Sequence, residues 1–343
     1  MANNDVIHII IPSSSHYVPY LEVLIISALC NKNNDDKLFF HILSEDIKEY
    51  QKKELKNLKH FGEYDIEFLK MNSEDIKDIP VCKAFFINNL ANYKLKVASI
   101  FKNLDKALIM EVDMVVQSSL KDLYNFDMGK SAFVAVKDPW CEELQPLFDI
   151  PEEYRYCNTG MFLANLKLWR EKNIEKIFFE NIKKYGKKLI FPDQDIFNIT
   201  FYNETKYLPQ KWNVYSSVPY THKDEEEEAF RDAEMGQGII HYASDKKPWF
   251  YPESKFADIW WSYARRTTNY EIILKRMMEN VVLGPSNIVD YKISAARNYR
   301  KNVLQYWKYK ILSNFVGGKT KERYNTKKHL LKDKIRQAKQ FRK

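Results

Sequence analysis

Glu111 and Asp113 stand two residues apart in Met110-Glu111-Val112-Asp113-Met114, directly after the short apolar run Ala107 to Met110. Two carboxylates at the end of a strand can converge on one cation if the backbone turns there. Their hard oxygens suit Mg²⁺ or Mn²⁺. Such an ion neutralises a diphosphate and helps it leave as an anion. A solvated acidic loop explains the same pair without any metal. A second cluster is Phe191-Pro192-Asp193-Gln194-Asp195-Ile196-Phe197-Asn198, four polar side chains interleaved with apolar ones. It reads as a helix start with Asp193 or Asp195 as the cap, although capping alone does not call for Gln194 and Asn198. A third is Ile239-Ile240-His241-Tyr242, followed by Lys246 and Lys247. His241 ends an apolar strand and could offer a neutral imidazole to a metal, or serve a structural role. Either lysine could meet a phosphate.

The elements that must position these groups are legible in outline. Val6 to Ile11 is a continuous β-branched run and predicts a strand buried on both faces. Val18 to Leu29 predicts a helix, Leu38 to Leu43 a second strand and Asp65 to Leu69 a third. Strand, helix and strand at this spacing imply a βαβ unit and a parallel sheet. Ala84 to Leu104 reads as mostly helical. Ala107 to Met110 and Ala132 to Val136 read as strands, and Gly160 to Leu166 as an apolar run leading into a helix from Lys167. In open α/β sheets ligands bind at the carboxyl ends of strands. Three polar clusters fall there: Ser13 to His16, Glu111 to Asp113, and Asp138.

Composition narrows the classes. The chain has 343 residues, 15% aromatic, with only 9 glycines, which excludes a collagen-like or low-complexity chain. Cys30, Cys82, Cys141 and Cys157 form no CxxC pair and read as reduced, intracellular thiols. The N-terminus lacks a basic region before Val6, and no apolar stretch approaches a membrane span. The expected location is cytoplasmic. Asp224 to Glu228, five acids in a row, reads as a solvated loop or helix start.

Five ordered blocks across residues 6 to 250 together resemble bacterial glycosyltransferase family 8, whose fold is called GT-A. The first is Ile11-Pro12-Ser13-Ser14-Ser15-His16-Tyr17, similar to a nucleotide-binding loop. The second is Leu104 to Asp113, similar to the strand leading into a DxD element. The third is Tyr156-Cys157-Asn158-Thr159-Gly160 through Trp169. The last two are Asp193-Gln194-Asp195 and the His241 segment, joined by Lys211-Trp212-Asn213. The resemblance implies a Rossmann-like α/β domain with a mixed, mostly parallel sheet. It implies a retaining transfer of a hexose from UDP-glucose or UDP-galactose to a saccharide acceptor. Glu111, Asp113 and His241 would hold the metal, usually Mn²⁺. Ser14, His16 and Tyr17 would meet the nucleoside, and Lys247 phosphate. Asp193 would bind sugar hydroxyls and Gln194 would lie under the anomeric carbon, with Asn158 and Asp138 lining the sugar and acceptor side. Glu111 stands where the family has Asp, Lys94 where it usually has Arg, Ser14 where an Asp is expected, and Ser244 where a Gly is.

The net charge of +8 is uneven. Residues 291–343 carry 17 Lys/Arg against 2 Asp/Glu, which leaves the remainder net acidic. Ala296, Tyr299, Val303, Trp307, Ile311 and Phe315 follow helical spacing among basic residues, a pattern suited to an anionic membrane surface. No nucleic-acid recognition motif is present. The expected organisation is a catalytic domain over residues 1–265 and a helical, basic extension over 266–343. The extension would place the protein peripherally on the inner face of the membrane, near a lipid-linked acceptor. The rival expectation is a non-catalytic relative that binds membranes or polyanions through this tail.

Overall fold

A computed structural model describes residues 6–77, 79, 89–138, 140–216, 220, 222–244, 246–282 and short stretches between 306 and 332. The chain divides into two compact units, Met1–Ile273 and Leu274–Lys343. Most of the extension, including the apolar positions from Ala296 to Phe315, lies outside the described residues. Tyr309, Tyr324 and Lys327 are described there, with Lys327 over the Tyr309 ring.

The first unit is built on a seven-stranded sheet in the order β3-β2-β1-β4-β7-β6-β8. Its strands are β1 (Val6–Pro12), β2 (Lys37–Ser44), β3 (Tyr64–Lys70), β4 (Lys106–Met110), β6 (Phe133–Lys137), β7 (Cys157–Asn165) and β8 (Thr205–Tyr207). β1, β2, β3 and β4 run parallel, as do β6 and β8. β7 runs antiparallel to both neighbours, so the sheet is mixed and mostly parallel. A second sheet joins β5 (Met114–Val116), β9 (Val214–Tyr215) and β10 (Ile239–His241) in the order β5-β10-β9.

Alternation along the strands splits the core into two layers. On one face Leu108, Met110, Val134, Met161 and Leu163 join an aliphatic cluster with Leu21, Leu24 and Ile25 of α1 (Val18–Asn31). α1 is apolar nearly all round, as a helix buried on several sides must be. On the other face Phe133 and Phe162 pack with aromatic rings from three helices. These are Trp169 of α5 (Leu166–Glu171), Phe178 of α6 (Ile174–Tyr185), and Phe197 and Phe201 of α7 (Pro192–Phe201). The remaining helices are α2 (Glu49–Lys56), α3 (Val97–Ile100), α4 (Lys121–Tyr124), α8 (Lys223–Glu234), α9 (Ala257–Ala264) and α10 (Tyr270–Val282). Asp224 to Glu228 begin α8, and Asp224 is exposed.

Two expectations gain detail and one needs correction. The segment from Ala84, expected to be mostly helical, is so over its described part, in two pieces. Residues 84–88 lie outside the described residues, Asn89–Lys96 is 3-10 helix, and α3 adds only one turn. The 3-10 stretch aims Lys94 inward. The apolar run from Gly160 forms the later part of β7, which begins at Cys157; Asn158 and Thr159 face polar partners in the interior and carry no apolar signal. The N-cap of α7 is Phe191, not Asp193 or Asp195, and its side chain makes no cap bond. Asp195 instead accepts backward from the backbone N–H groups of Ile190 (2.6 Å) and Phe191 (2.9 Å).

Candidate active site

The strand ends on one side of the sheet supply the site. β4 ends at Met110 and β5 begins at Met114, so Glu111 and Asp113 sit in the turn between the two sheets. β10 lies antiparallel to β5 with His241 opposite Met114, and the Tyr242 N–H donates to the Asp113 carbonyl at 2.9 Å. Because β7 is antiparallel, its amino end reaches the same edge. The Glu111 N–H donates to the Gly160 carbonyl at 2.8 Å, and the Asp138 N–H to the Tyr156 carbonyl at 2.7 Å.

One ligand atom each from Glu111, Asp113 and His241 lie within 4.8 Å of one another. His241 Nε2 is 3.7 Å from Glu111 Oε2 and 3.5 Å from Asp113 Oδ1. Asp113 Oδ1 is buried with no hydrogen-bond partner. A buried carboxylate oxygen left unmatched is costly unless a cation meets it. Two carboxylates and an imidazole therefore fit a Mn²⁺ or Mg²⁺ ion. Burial alone would raise the Asp113 carboxyl. The Lys247 ammonium and His241 beside it override that and hold it far below the usual carboxylate range.

Two lysines frame these carboxylates. Lys247 Nζ donates to Asp113 Oδ2 and to the Tyr242 carbonyl. Lys94 is 0% exposed and uses all three of its hydrogens. It donates to Glu111 Oε1 at 2.7 Å and the Thr159 carbonyl at 2.9 Å, and pairs with Asp193 Oδ2 at 2.7 Å. Burial pulls this ammonium down, and Asp193 and Glu111 more than reverse the effect, so it stays charged. Glu111, in the turn after β4, and Asp193, on α7, thus share one buried cation.

Beyond Lys94 lies a network of neutral amides around Asp138. Asp138 Oδ1 accepts from the N–H groups of Trp140 and Cys141, both at 2.9 Å. Its Oδ2 accepts from Tyr215 OH at 2.9 Å, Gln194 Nε2 at 3.2 Å and Asn158 Nδ2 at 3.4 Å. Gln194 Oε1 in turn accepts from Asn158 Nδ2 at 2.8 Å. On α7, burial pushes the Asp195 carboxyl up to about 7, against hydrogen bonds from Tyr156 and the helix entry that favour its anion.

The loop after β1 borders the same edge, since β1 and β4 are parallel neighbours. Ser14 and Tyr17 are half-buried there and His16 is exposed. Tyr20, on the first turn of α1, stacks on Trp249 at 4.2 Å, which ties this loop to the Lys247 segment. All twelve sequence-predicted site residues lie in the first unit. Glu111, Asp113, His241, Lys94, Lys247, Asp193, Gln194, Asn158 and Asp138 form one connected cluster. Ser14, His16 and Tyr17 line its border. The sequence did not single out Asn213, Thr159, Gly160 or Tyr215 for a role. An isolated polar residue directly before the apolar Val214-Tyr215 was the available sign for Asn213.

The sequence profile described as "Glycosyl transferase family 8" matches residues 8–253. A lipopolysaccharide 1,2-glucosyltransferase of Escherichia coli is 25% identical over 231 residues, covering 65% of this chain and 68% of its own. The crystal structure of galactosyltransferase LgtC with donor and acceptor sugar analogues matches with a TM-score of 0.67 at 24% identity, covering 76% of this chain and 96% of that one. The WbbM bifunctional glycosyltransferase matches with a TM-score of 0.70 at 23% identity over 81% of this chain, which spans about half (53%) of that protein. A family profile covering most of the chain, a shared GT-A fold and a cluster of metal-ligand type at the strand ends agree: this chain belongs to glycosyl transferase family 8 and is a glycosyltransferase.

Proposed function

We propose that this enzyme is a retaining, metal-dependent hexosyltransferase that moves glucose or galactose from a UDP-sugar to a saccharide acceptor carried on a lipid. The observation that carries the reading is the convergence of Glu111, Asp113 and His241 around the unmatched Asp113 Oδ1. Glu111, Asp113 and His241 would hold Mn²⁺ or Mg²⁺, which would neutralise the donor diphosphate. Lys247 stands at Asp113 and serves as the phosphate contact. Ser14, His16 and Tyr17 flank the nucleoside.

Asp193 and Gln194 serve the sugar, and Asn158 and Asp138 its acceptor side. Both carboxylates are already committed. Asp193 Oδ2 meets Lys94 and the Thr159 hydroxyl, and Asp138, 1% exposed, accepts five hydrogen bonds. A carboxylate so engaged is a poor nucleophile. This favours a front-face transfer in which the acceptor proton passes to the departing phosphate. The glucosyl and galactosyl activities named for the relatives support a hexose donor.

The basic segment 291–343 is assigned to an anionic membrane surface, which places the enzyme on the inner face beside its acceptor. Among the described residues no helix is long and apolar enough to cross a membrane. Mn²⁺-dependent release of UDP from UDP-glucose or UDP-galactose, with and without EDTA, tests the catalytic reading. Release unaffected by the chelator would overturn the metal assignment. Flotation with anionic vesicles tests the tail, and equal flotation of a chain cut after residue 265 would remove that part.

A further inference from the structure

His241 can offer Nε2 to a metal only if its proton sits on Nδ1. The surrounding hydrogen bonds settle which nitrogen that is, because backbone N–H groups can only donate. The Gly160 N–H donates to Asn158 Oδ1 at 2.9 Å, and the Thr159 N–H donates to Gln194 Oε1 at 3.2 Å. Both amide oxygens are thereby identified. Asn158 Nδ2 must then be the donor to Gln194 Oε1, and Asn213 Nδ2 the donor to Asn158 Oδ1, each at 2.8 Å. This turns Asn213 Oδ1 toward His241 Nδ1, also at 2.8 Å. An amide oxygen only accepts, so Nδ1 carries the proton. Nε2, the other ring nitrogen, faces Glu111 and Asp113.

We propose that Asn213 is a positioning residue that holds His241 as its Nδ1–H tautomer, with the polarity of the relay set by the backbone amides of Thr159 and Gly160. Three further features hold the parts in register. Asn213, 0% exposed, directly precedes β9, which pairs with β10 and sets Tyr215 beside His241. Gly238 adopts φ +75°, and a Cβ there would lie 1.9 Å from the Lys211 carbonyl oxygen, so only glycine lets the turn carrying Asn213 approach β10 this closely. The imidazole rests on Gly160, where a Cβ would lie 2.4 Å from His241 Cε1, and Tyr215 meets the ring edge-on at 5.4 Å. The same relay links the imidazole to Gln194 and Asp138, so the sugar side and the metal side share one hydrogen-bonded frame.

The proposed benefit to catalysis rests on the metal reading above, but the tautomer does not, and the experiment separates them. Full-length protein with ¹⁵N-labelled histidine is examined by two-bond ¹H–¹⁵N NMR at pH 8 without metal, with the His241 signals assigned by their loss in His241→Gln. The expected pattern is Nδ1–H, the less common tautomer of a free histidine side chain. An Nε2–H pattern in the unmodified protein overturns the proposal outright. Asn213→Asp keeps an acceptor toward Nδ1 but sets a carboxylate oxygen against Asn158 Oδ1 in place of the donated bond, so it should keep the pattern at some cost in stability. Asn213→Leu removes the acceptor and should lose it. Mn²⁺ affinity, followed without donor by electron paramagnetic resonance of the free ion, should fall about 10–100-fold in Asn213→Leu and less than tenfold in Asn213→Asp. A folded Asn213→Leu variant with unchanged tautomer and unchanged Mn²⁺ affinity overturns the proposal. If the tautomer responds as expected but the unmodified protein binds no Mn²⁺, the metal reading fails and the positioning role stands.

Discussion

The first unit carries two clusters built from histidine and carboxylate side chains, and they behave differently. At the outer edge of the main sheet His8 Nδ1 meets His41 Nε2 at 2.9 Å, and His41 Nδ1 meets Glu67 Oε1 at 2.5 Å. These residues lie on β1, β2 and β3, with His41 and Glu67 direct register partners. Side chains on one face of a sheet stand side by side, so the three groups form a line in which each satisfies the next. At the strand ends, Glu111, Asp113 and His241 approach to 3.5 and 3.7 Å without bonding to one another, and Asp113 Oδ1 remains unmatched. A turn between two sheets aims them at a common point. Histidine and carboxylate alone do not make a metal site. Convergence does, and it comes from leaving the plane of the sheet.

The sharpest way to break this comparison is to remove one convergent group. Asp113→Ala should eliminate measurable Mn²⁺ binding and Mn²⁺-dependent transfer, a loss beyond the 10–100-fold typical of changes around a ligand. Glu67→Ala, at the linear cluster, should leave Mn²⁺ titrations unchanged. Equal behaviour of the two variants would erase the distinction. Gly160→Ala attacks convergence without replacing a ligand. Its methyl group would press on His241 Cε1 and on Asn158 Oδ1, 2.9 Å away. We expect about 1–3 kcal/mol lower stability by denaturant unfolding and roughly tenfold or more weaker Mn²⁺ binding. Unchanged binding would mean that the ring can shift freely.

Much of this was legible in the sequence, for definable reasons. Val6 to Ile11 and Ala107 to Met110 are continuous apolar runs, and such runs mark buried strands. Glu111 and Asp113 stand where the second run stops, and His241 ends the short apolar strand Ile239-Ile240. The amino end of β7 was hidden because Asn158 and Thr159 point into a polar interior that only the fold creates. Asn213 was hidden because its role depends on the donor direction of backbone amides more than 50 residues away. The saturation of Lys94 was equally hidden. The sequence placed a cation there, but that its hydrogens go to Glu111, Asp193 and the Thr159 carbonyl follows only from the inward 3-10 turn. The linear cluster left no sign at all, since His8 and His41 are single polar residues within strands.

A smaller test concerns Glu111, whose one carboxylate serves both Lys94 and the convergent point. Glu111→Asp shortens the reach by a methylene, while Lys94 keeps Asp193 and the Thr159 carbonyl. Mn²⁺ affinity should fall by about tenfold or less, and a complete loss would show that the longer side chain is integral to this geometry.

The smallest effect is expected at the linear cluster, and it concerns stability alone. Burial and the neighbouring His41 lower the His8 imidazole to about 4, with Glu67 opposing them. The unfolded chain takes up this proton near pH 6.5 and the folded chain only near 4. Stability associated with His8 is therefore fully present above about pH 6.5 and is lost as pH falls toward 4. His8 is half-buried, so solvent screening reduces the effect to about 1–2 kcal/mol. In His8→Phe the difference in unfolding free energy between pH 7 and pH 5 should shrink by about that amount, leaving the smaller share from His41, whose imidazole burial also lowers. Mn²⁺ affinity should not move. A changed affinity would mean that the two clusters communicate through β1 and β4, and an unchanged pH slope would mean that His8 is already solvated in the folded chain.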